Sequence, residues 1–215
     1  MKKVTLSLLL AILSFSMNAQ DKSEPNQISL LFGLNQPIVT NGFNFELNYW
    51  TKKIVVDYSH GFGLEFTDDL ITQQARDQHL AFNITHSLGI GVGYRFTRAF
   101  NLRVEPKWHI WEMYYDDAFK TSEAKITTYS TFTLGIGAYY RWMPFYKKQN
   151  GLKGFTVVPS FRCWPNVATS LDNGIYEYYN TRTDQTEIHH ANNIGMGNTP
   201  FFVNVSVGWT IGIGK

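Results

Sequence analysis

Large apolar residues alternate with small or polar residues along most of this chain, and this period of two restricts the fold more than any other feature. In residues 80–96 every even position except His86 is large and apolar, and most odd positions are glycine, serine, threonine or asparagine. A helix repeats every 3.6 residues and a strand every two, so only strands sort residues in this way. The same alternation recurs in residues 28–34, 43–49, 54–62, 102–110, 126–142, 155–163 and 201–213. The chain is therefore predicted to be all-β.

The composition of the polar face distinguishes a soluble barrel from a membrane barrel. A soluble barrel or sandwich also alternates, with its apolar face inward, and its solvent face would carry many lysines and glutamates. Here the polar face consists of glycine, serine and threonine with a few long charged side chains, a mixture that fits the interior of a narrow barrel. We therefore predict an antiparallel up-and-down transmembrane β-barrel of about eight strands.

The connections between these segments alternate in length, as in outer-membrane barrels with short periplasmic turns and longer extracellular loops. The short connections are residues 51–53, 97–101 and 143–153, and the longer ones are residues 35–42, 63–79, 114–125 and 165–199. Aromatic residues near the short connections predict a girdle at the periplasmic interface: Tyr49, Trp50, Tyr94, Phe96, Tyr140, Trp142 and Trp209. Residues 175–190 are polar on both faces, which favours an extracellular hairpin that extends the last two strands and leaves a count of ten strands open.

The N-terminal residues predict export. Lys2 and Lys3 precede an apolar stretch that ends in small residues up to Ala19, so we expect a signal peptide over residues 1–19 and one barrel domain over residues 20–215. Without the two lysines the chain has 17 basic and 17 acidic residues, a balance that argues against a nucleic-acid partner. Cys163 is the only cysteine, which excludes an internal disulfide.

The pattern as a whole resembles the small OmpA/OmpX-type outer-membrane barrels of Gram-negative bacteria. Residues 207–215, in which glycine alternates with Trp209 and two isoleucines, look like the closing strand of such proteins, although the terminal aromatic residue is missing. The signal peptide that ends in Asn18 and Ala19 is similar to those of exported Bacteroidetes proteins. The resemblance implies an outer-membrane location, contact with membrane lipid and lipopolysaccharide, and insertion by the barrel assembly machinery.

Charged residues on the polar face predict a network inside the barrel. They are Glu46, Asp57, Arg95, Arg103, Glu105, Lys107, His109 and Arg141. A register that pairs Phe96 with Leu102 would set a glycine opposite three of these side chains and leave room for them inside. Because a buried charge must be paired, we interpret the network as a plug of salt bridges, and a narrow polar pore or proton path is the alternative.

A second group of polar residues lies on the predicted outer wall. His60 and His86 are in phase with the apolar positions, and the same register adds Glu112 beside His86, which predicts a His-His-Glu row near the extracellular rim. Ionisable residues that face hydrocarbon are costly and suggest a function. A histidine beside a carboxylate is oriented as a general base, and the row is similar to the lipid-facing His, Ser and Glu of lipid A deacylases. Leu88 occupies the position of their serine, so no nucleophile is in place.

The leading hypothesis is a barrel of structural or interaction type with a lumen filled by side chains. Its long loops would bind an extracellular ligand, and its outer wall would contact lipopolysaccharide. Two alternatives stay open: an enzyme that modifies lipid A through His60, His86 and Glu112, and a narrow channel for small solutes. No spacing predicts a metal or cofactor, because the loop acids lack a calcium-binding pattern and strand alternation accounts for the glycines.

Overall fold

Eight strands form a closed ring in the computed structural model, which describes residues 25–213. The chain has the strands β1 (Asn26–Gly33), β2 (Phe43–Trp50), β3 (Ile54–Phe66), β4 (Leu80–Arg95), β5 (Phe100–Tyr115), β6 (Thr127–Tyr140), β7 (Phe155–Cys163), β8 (Asn166–Thr169), β9 (Ile175–Asn180), β10 (Gln185–His190) and β11 (Phe201–Ile213). Strands β1 to β7 pair antiparallel in chain order, and β11 pairs with both β7 and β1 to close the ring. The prediction of an all-β, up-and-down barrel of eight strands is confirmed.

The helices are short and lie in the connections. They are the α-helices α1 (Asn35–Val39) and α2 (Gln73–Asp77), with 3-10 turns at Asp68–Leu70, Gly151–Gly154, Asp172–Gly174 and Met196–Asn198. In the described part of the chain, no helix combines the length and apolar character needed to cross a membrane. The predicted signal peptide, residues 1–19, lies outside the described residues.

The hairpin register of β4 and β5 differs by two residues from the prediction. Tyr94, and not Phe96, pairs with Leu102. The turn itself sets this register, because the Thr97 hydroxyl accepts a hydrogen bond from the backbone N–H of Phe100 at 2.8 Å, and the N–H of Phe96 donates to the carbonyl of Phe100 at 3.1 Å. Since a shift of two keeps every side chain on its face, the inward positions on β5 are as predicted and only their partners change.

The alternation reverses its phase at one level of β3 and β4. Gly63 has a φ of 64°, a conformation that glycine adopts at little cost, and the ladder between β4 and β5 is irregular at Thr85. Phe62 and His86 pair and face outward, whereas Leu64 and Ile84 pair and are 5% and 0% exposed. The outward face that the sequence predicts for the even positions is therefore wrong for Leu80, Phe82 and Ile84, which point into the barrel.

The barrel changes polarity at this level: β3 and β4 reverse their phase, whereas on β5 and β6 the odd positions stay inside and change from polar to apolar residues. We call the part below it, which ends in the short connections, the short-turn half, and the part above it the long-loop half. The short-turn half has a polar interior and an exposed apolar outer wall. The interior of the long-loop half is apolar and includes Phe66, Phe82, Trp111 and Tyr129. Its outer wall carries Glu65, Asn83, Glu112 and Ser130, which are all partly exposed.

The hairpin β9–β10 closes the long-loop half. It forms a two-stranded sheet of its own, and Tyr178 belongs to the apolar interior cluster. The short strand β8 continues the pairing with β6 beyond the end of β7. Residues 175–190 thus form a hairpin as predicted. The prediction that it extends the last two strands is wrong, because it forms a separate sheet, and Tyr178 and His189 pack inward over the barrel.

Acidification is expected to loosen this hairpin. His189 is 6% exposed, and its ring stacks on that of Phe82 with the ring centres 4.7 Å apart. Burial, together with the neighbouring His190, lowers the pKa of His189 from 6.5 to about 4. Between these two values the unfolded hairpin binds a proton that the folded one does not, so the stability of the folded hairpin falls as the pH drops from 6.5 towards 4, by at most about 3 kcal/mol.

Hydrogen–deuterium exchange of residues 175–190, corrected for intrinsic rates, measures this loss. His189→Phe keeps an aromatic ring against Phe82 and cannot be protonated. In this variant the protection of the hairpin from exchange should lose most of its pH dependence between pH 6.5 and pH 4. His190→Phe, at an exposed neighbouring position, is the matched control: it removes only the smaller contribution to the lowered pKa of His189, so the hairpin should keep most of the pH dependence of the parent chain. A hairpin in the parent chain that is equally protected at pH 7 and pH 4.5 would contradict the expectation.

Candidate functional site

Two buried ion pairs cross the interior of the short-turn half. Glu46 on β2 accepts a hydrogen bond from Arg162 on β7 at 2.8 Å. Asp57 on β3 lies 3.4 Å from Arg103 on β5, and Asn48 also accepts a hydrogen bond from Arg103 at 2.7 Å. The side chains of both pairs are at most 3% exposed. Each pair joins strands that are not neighbours in the ring, so the charges hold the wall together from inside.

Lys107 and Glu105 make mostly neutral contacts. The ammonium of Lys107 donates to the hydroxyl of Ser59 at 2.6 Å and lies 4.3 Å from the centre of the Trp164 ring. The carboxylate of Glu105 accepts hydrogen bonds from the hydroxyl of Tyr139 and, at 3.1 Å, from the indole N–H of Trp164. Trp164 therefore links the two charges, and together they occupy the centre of the interior.

His109 lies above these charges and is fully buried. Its Nδ1 is 2.9 Å from the hydroxyl of Ser87, and its Nε2 is 3.1 Å from the hydroxyl of Thr133. Both ring nitrogens thus have a hydroxyl partner. In a neutral imidazole one nitrogen donates and the other accepts, and a hydroxyl can fill either role. The ring fills the interior and bridges β4, β5 and β6.

Trp50 anchors the charges at the short-turn end. Its ring lies beneath the guanidinium groups of Arg141 at 4.4 Å, Arg103 at 5.2 Å and Arg95 at 5.5 Å. Its indole N–H donates to Ser29 at 2.7 Å. Trp50 is 1% exposed, so its predicted place in an outer aromatic girdle is wrong. The other six predicted girdle residues lie on the outer wall and are 39–54% exposed.

Sequence reasoning missed Arg162, although a signal for it was present. Arg162 follows Thr156 and Ser160 at intervals that keep all three on the same face of β7. This inward phase could have added Arg162 to the predicted network. The inward positions of Trp164 and Tyr139 could not have been read as part of it, because their role depends on which charges lie across the barrel.

The two outer-wall histidines are in contact, as predicted. His60 is opposite Leu88 and diagonal to His86, and the Nε2 of His60 lies 3.2 Å from the Nδ1 of His86. The hydroxyl of Tyr58 is 3.4 Å from the other nitrogen of His60. One imidazole therefore donates a hydrogen bond to the other, and the pair lies directly below the level at which the polarity of the barrel reverses.

Glu112 does not join this pair, and the predicted His-His-Glu row is wrong at its third member. Glu112 lies opposite Asn83. Its carboxylate accepts hydrogen bonds from Lys125 at 2.9 Å and from Tyr114 at 2.7 Å. The change in hairpin register, combined with the irregularity at Thr85, moves Glu112 beyond His86 into the long-loop half.

No family model, curated protein or solved structure matches this chain. Within residues 25–213, no group of three or more His, Cys, Asp and Glu side chains is arranged to hold a metal ion.

Breaking one ion pair tests the role of the interior network. Arg162→Met leaves the Glu46 carboxylate buried without its guanidinium partner, which is expected to lower the free energy of unfolding by about 3–5 kcal/mol. Adding Glu46→Gln removes the orphaned charge and should restore more than half of this loss. Denaturant titration of the single and double variants measures both effects, and simple additivity of the two single losses would contradict a coupled pair.

Proposed function

We propose that this chain is an outer-membrane β-barrel of structural or interaction type. The reversal of polarity along the barrel carries the proposal. An apolar outer wall around a polar interior is the opposite of a soluble barrel, and hydrocarbon is the environment in which it is stable. On β5 the apolar outward positions run from Phe100 to Ile110, which are ten residues apart. At roughly 3.3 Å per residue and a strand tilt of about 40°, this separation corresponds to a height of about 25 Å. This height matches the apolar band of outer-membrane barrels.

The long-loop half would then project into water on the extracellular side. Its apolar interior and polar outer wall are those of a soluble domain, and the hairpin β9–β10 covers its end. The exposed residues of these loops are the surface that an extracellular ligand would meet. Export through the predicted signal peptide and insertion by the barrel assembly machinery are parts of the same proposal.

The histidine pair supports contact with lipopolysaccharide. His60 and His86 lie at the upper edge of the apolar band, where the phosphate groups of the outer leaflet would be. An imidazole N–H, or an imidazolium after protonation, is a suitable donor to phosphate. An ionisable side chain costs only about 0–1 kcal/mol near the interface, whereas the same charge at the bilayer midplane costs about 2–4 kcal/mol. Binding of a headgroup is therefore the role that fits their position.

Neither alternative function gains a supporting observation. An enzyme acting through His60 and His86 lacks a serine on their face, because the neighbouring Ser59 and Ser87 point into the barrel. The carboxylate of Glu112 is occupied by Lys125 and Tyr114. A channel would need a continuous aqueous path, whereas Arg103, Lys107 and His109 are at most 4% exposed and packed among other side chains. The buried interior therefore gives the channel hypothesis no support.

The proposal predicts that the cost of a charge depends on its height on the outer wall. Val104→Arg lies near the middle of the apolar band, where Val104 is 50% exposed. In phospholipid vesicles it is expected to lower the free energy of unfolding by about 2–4 kcal/mol. Thr128→Arg, at an exposed outer-wall position of the long-loop half, is the matched control and should cost about 0–1 kcal/mol. Denaturant titration measures both, and equal costs would reject a lipid-embedded wall.

A further inference from the structure

The short-turn end of the barrel is a basic surface. Its three described connections, residues 51–53, 96–99 and 141–154, contain seven basic residues and no acidic one. The basic residues are Lys52, Lys53, Arg98, Arg141, Lys147, Lys148 and Lys153. Residues 20–24 and 214–215 lie outside the described part of the chain, and their two acidic and two basic residues leave this excess of positive charge unchanged.

The opposite end has the reverse charge. The connections of the long-loop half contain four basic residues, Arg76, Lys120, Lys125 and Arg182. They contain ten acidic residues, which are Asp68, Asp69, Asp77, Asp116, Asp117, Glu123, Asp172, Glu177, Asp184 and Glu187. Without the first two lysines the chain has 17 residues of each sign, so the excess of lysine is a property of the short-turn end and not of the composition.

The lysines at the short-turn end are exposed and spread around the barrel. Lys52 and Lys53 lie in the turn between β2 and β3, and Lys147, Lys148 and Lys153 lie in the connection between β6 and β7. In the closed ring these two connections are on opposite sides. Charges that are spread around the circumference fit a layer that surrounds the barrel better than they fit one compact ligand.

The connection between β6 and β7 is held against the end of the barrel. The guanidinium of Arg98, in the turn between β4 and β5, lies 4.4 Å from the centre of the Tyr146 ring. The N–H of Lys148 donates to the carbonyl of Phe145 at 2.9 Å. These contacts fix the backbone at the rim, whereas the side chains of Lys147 and Lys148 remain exposed.

Aromatic side chains of the outer wall lie next to these basic connections. Tyr49, Phe96 and Trp142 lie at or beside the three connections and are 39%, 49% and 54% exposed. Tyrosine and tryptophan rings of membrane proteins lie at the level of the lipid headgroups, and a lysine can extend its stem along apolar surface while its ammonium stays in water. The order of apolar wall, aromatic ring and ammonium therefore matches that of hydrocarbon, interface and phosphate.

We propose that the short-turn end binds the headgroups of anionic phospholipids in the leaflet that surrounds it. The ammonium groups of Lys53, Lys147, Lys148 and Lys153 donate to the lipid phosphates. A lysine near an anionic membrane surface strengthens binding about fivefold. A soluble polyanion would not need the aromatic rings and the apolar wall beside these lysines, so a lipid is the partner that the arrangement favours. The inference rests on the proposed function, in which this leaflet is the periplasmic one.

Lipid selectivity tests this surface in the full-length protein, reconstituted in phosphatidylcholine bilayers. The probes are phosphatidylglycerol and phosphatidylcholine with the same spin-labelled acyl chain, and electron paramagnetic resonance measures the fraction of each that is immobilised by the protein. At low salt we expect a preference for phosphatidylglycerol of about twofold or more. In 1 M salt, where the Debye length is about 3 Å, this preference should disappear. Equal immobilisation of the two lipids at low salt would overturn the inference.

Two quadruple variants locate the preference at the short-turn end. The first combines Lys53→Gln, Lys147→Gln, Lys148→Gln and Lys153→Gln, which removes four exposed charges and should abolish most of the preference for phosphatidylglycerol. The second replaces the same four lysines with arginine and is the matched control, because it keeps the charges and should keep the preference. A preference that survives in the glutamine variant, or is lost in both variants, would overturn the inference.

A soluble anionic partner is distinguished by a second probe. Fluorescent polyglutamate is titrated onto the parent chain in nanodiscs of phosphatidylcholine, and its anisotropy reports binding. Binding of polyglutamate, combined with equal immobilisation of the two lipids, would assign the lysines to a soluble partner and overturn the lipid proposal.

Failure of this inference can be told apart from failure of the proposed function. Equal immobilisation of the two lipids, combined with the expected cost of Val104→Arg in vesicles, removes the anionic-lipid surface and leaves the membrane barrel intact. Equal costs of Val104→Arg and Thr128→Arg reject the lipid-embedded wall, and the lipid-binding surface is rejected with it.

Discussion

Closure of the backbone hydrogen-bond ladder is the constraint on which the rest of this structure depends. Each ring strand satisfies most of its peptide groups through its two neighbours, and pairing of β1 with β11 closes the ring. A ring of eight strands has a narrow interior, so long side chains fit only where small residues lie opposite. Gly89 faces Lys107 and Gly93 faces Arg103 for this reason. A Cβ atom on either glycine would lie within 2.6 Å of the facing side chain.

The ionic interior also explains how one register is selected. A slip of any strand by one residue exchanges its two faces. Such a slip would move Arg103 or Glu46 to the apolar outer wall and leave its ion-pair partner alone in the interior. A buried ion pair adds little net stability compared with well-packed apolar residues, but losing one partner is expensive. The pairs of Glu46 with Arg162 and of Asp57 with Arg103 therefore act mainly against wrong registers.

Strand positions and most side-chain faces could be predicted from local alternation, since the period of two is visible in the sequence. The register of β4 and β5 could not, because the hydrogen bonds of Thr97 determine where the turn closes. The phase reversal at Gly63 and Thr85 was hidden as well, since apolar residues continue at even positions on both sides of it. The contact between His60 and His86 could be predicted from their shared face. The position of Glu112 could not, because it depends on both the hairpin register and the phase reversal. The replacement of strand pairing beside β1 by α1 depends on contacts between distant segments and leaves no local pattern.

The phase reversal, the histidine pair and α1 lie at one height of the barrel. Thr40, at the end of α1, bonds to Glu65 just above Gly63. Below it, a row of rings leads along the outer wall from Phe43 through Phe62 to His60, with ring centres 5.3 Å and 5.9 Å apart. In the proposed orientation this height is that of the outer-leaflet headgroups. In that orientation a lipid headgroup would meet the imidazoles of His60 and His86 and the end of the ladder between β1 and β11 at the same height. Because α1 replaces a stretch of ladder with hydrogen bonds at its two ends, its displacement would break fewer backbone hydrogen bonds than the separation of two paired strands.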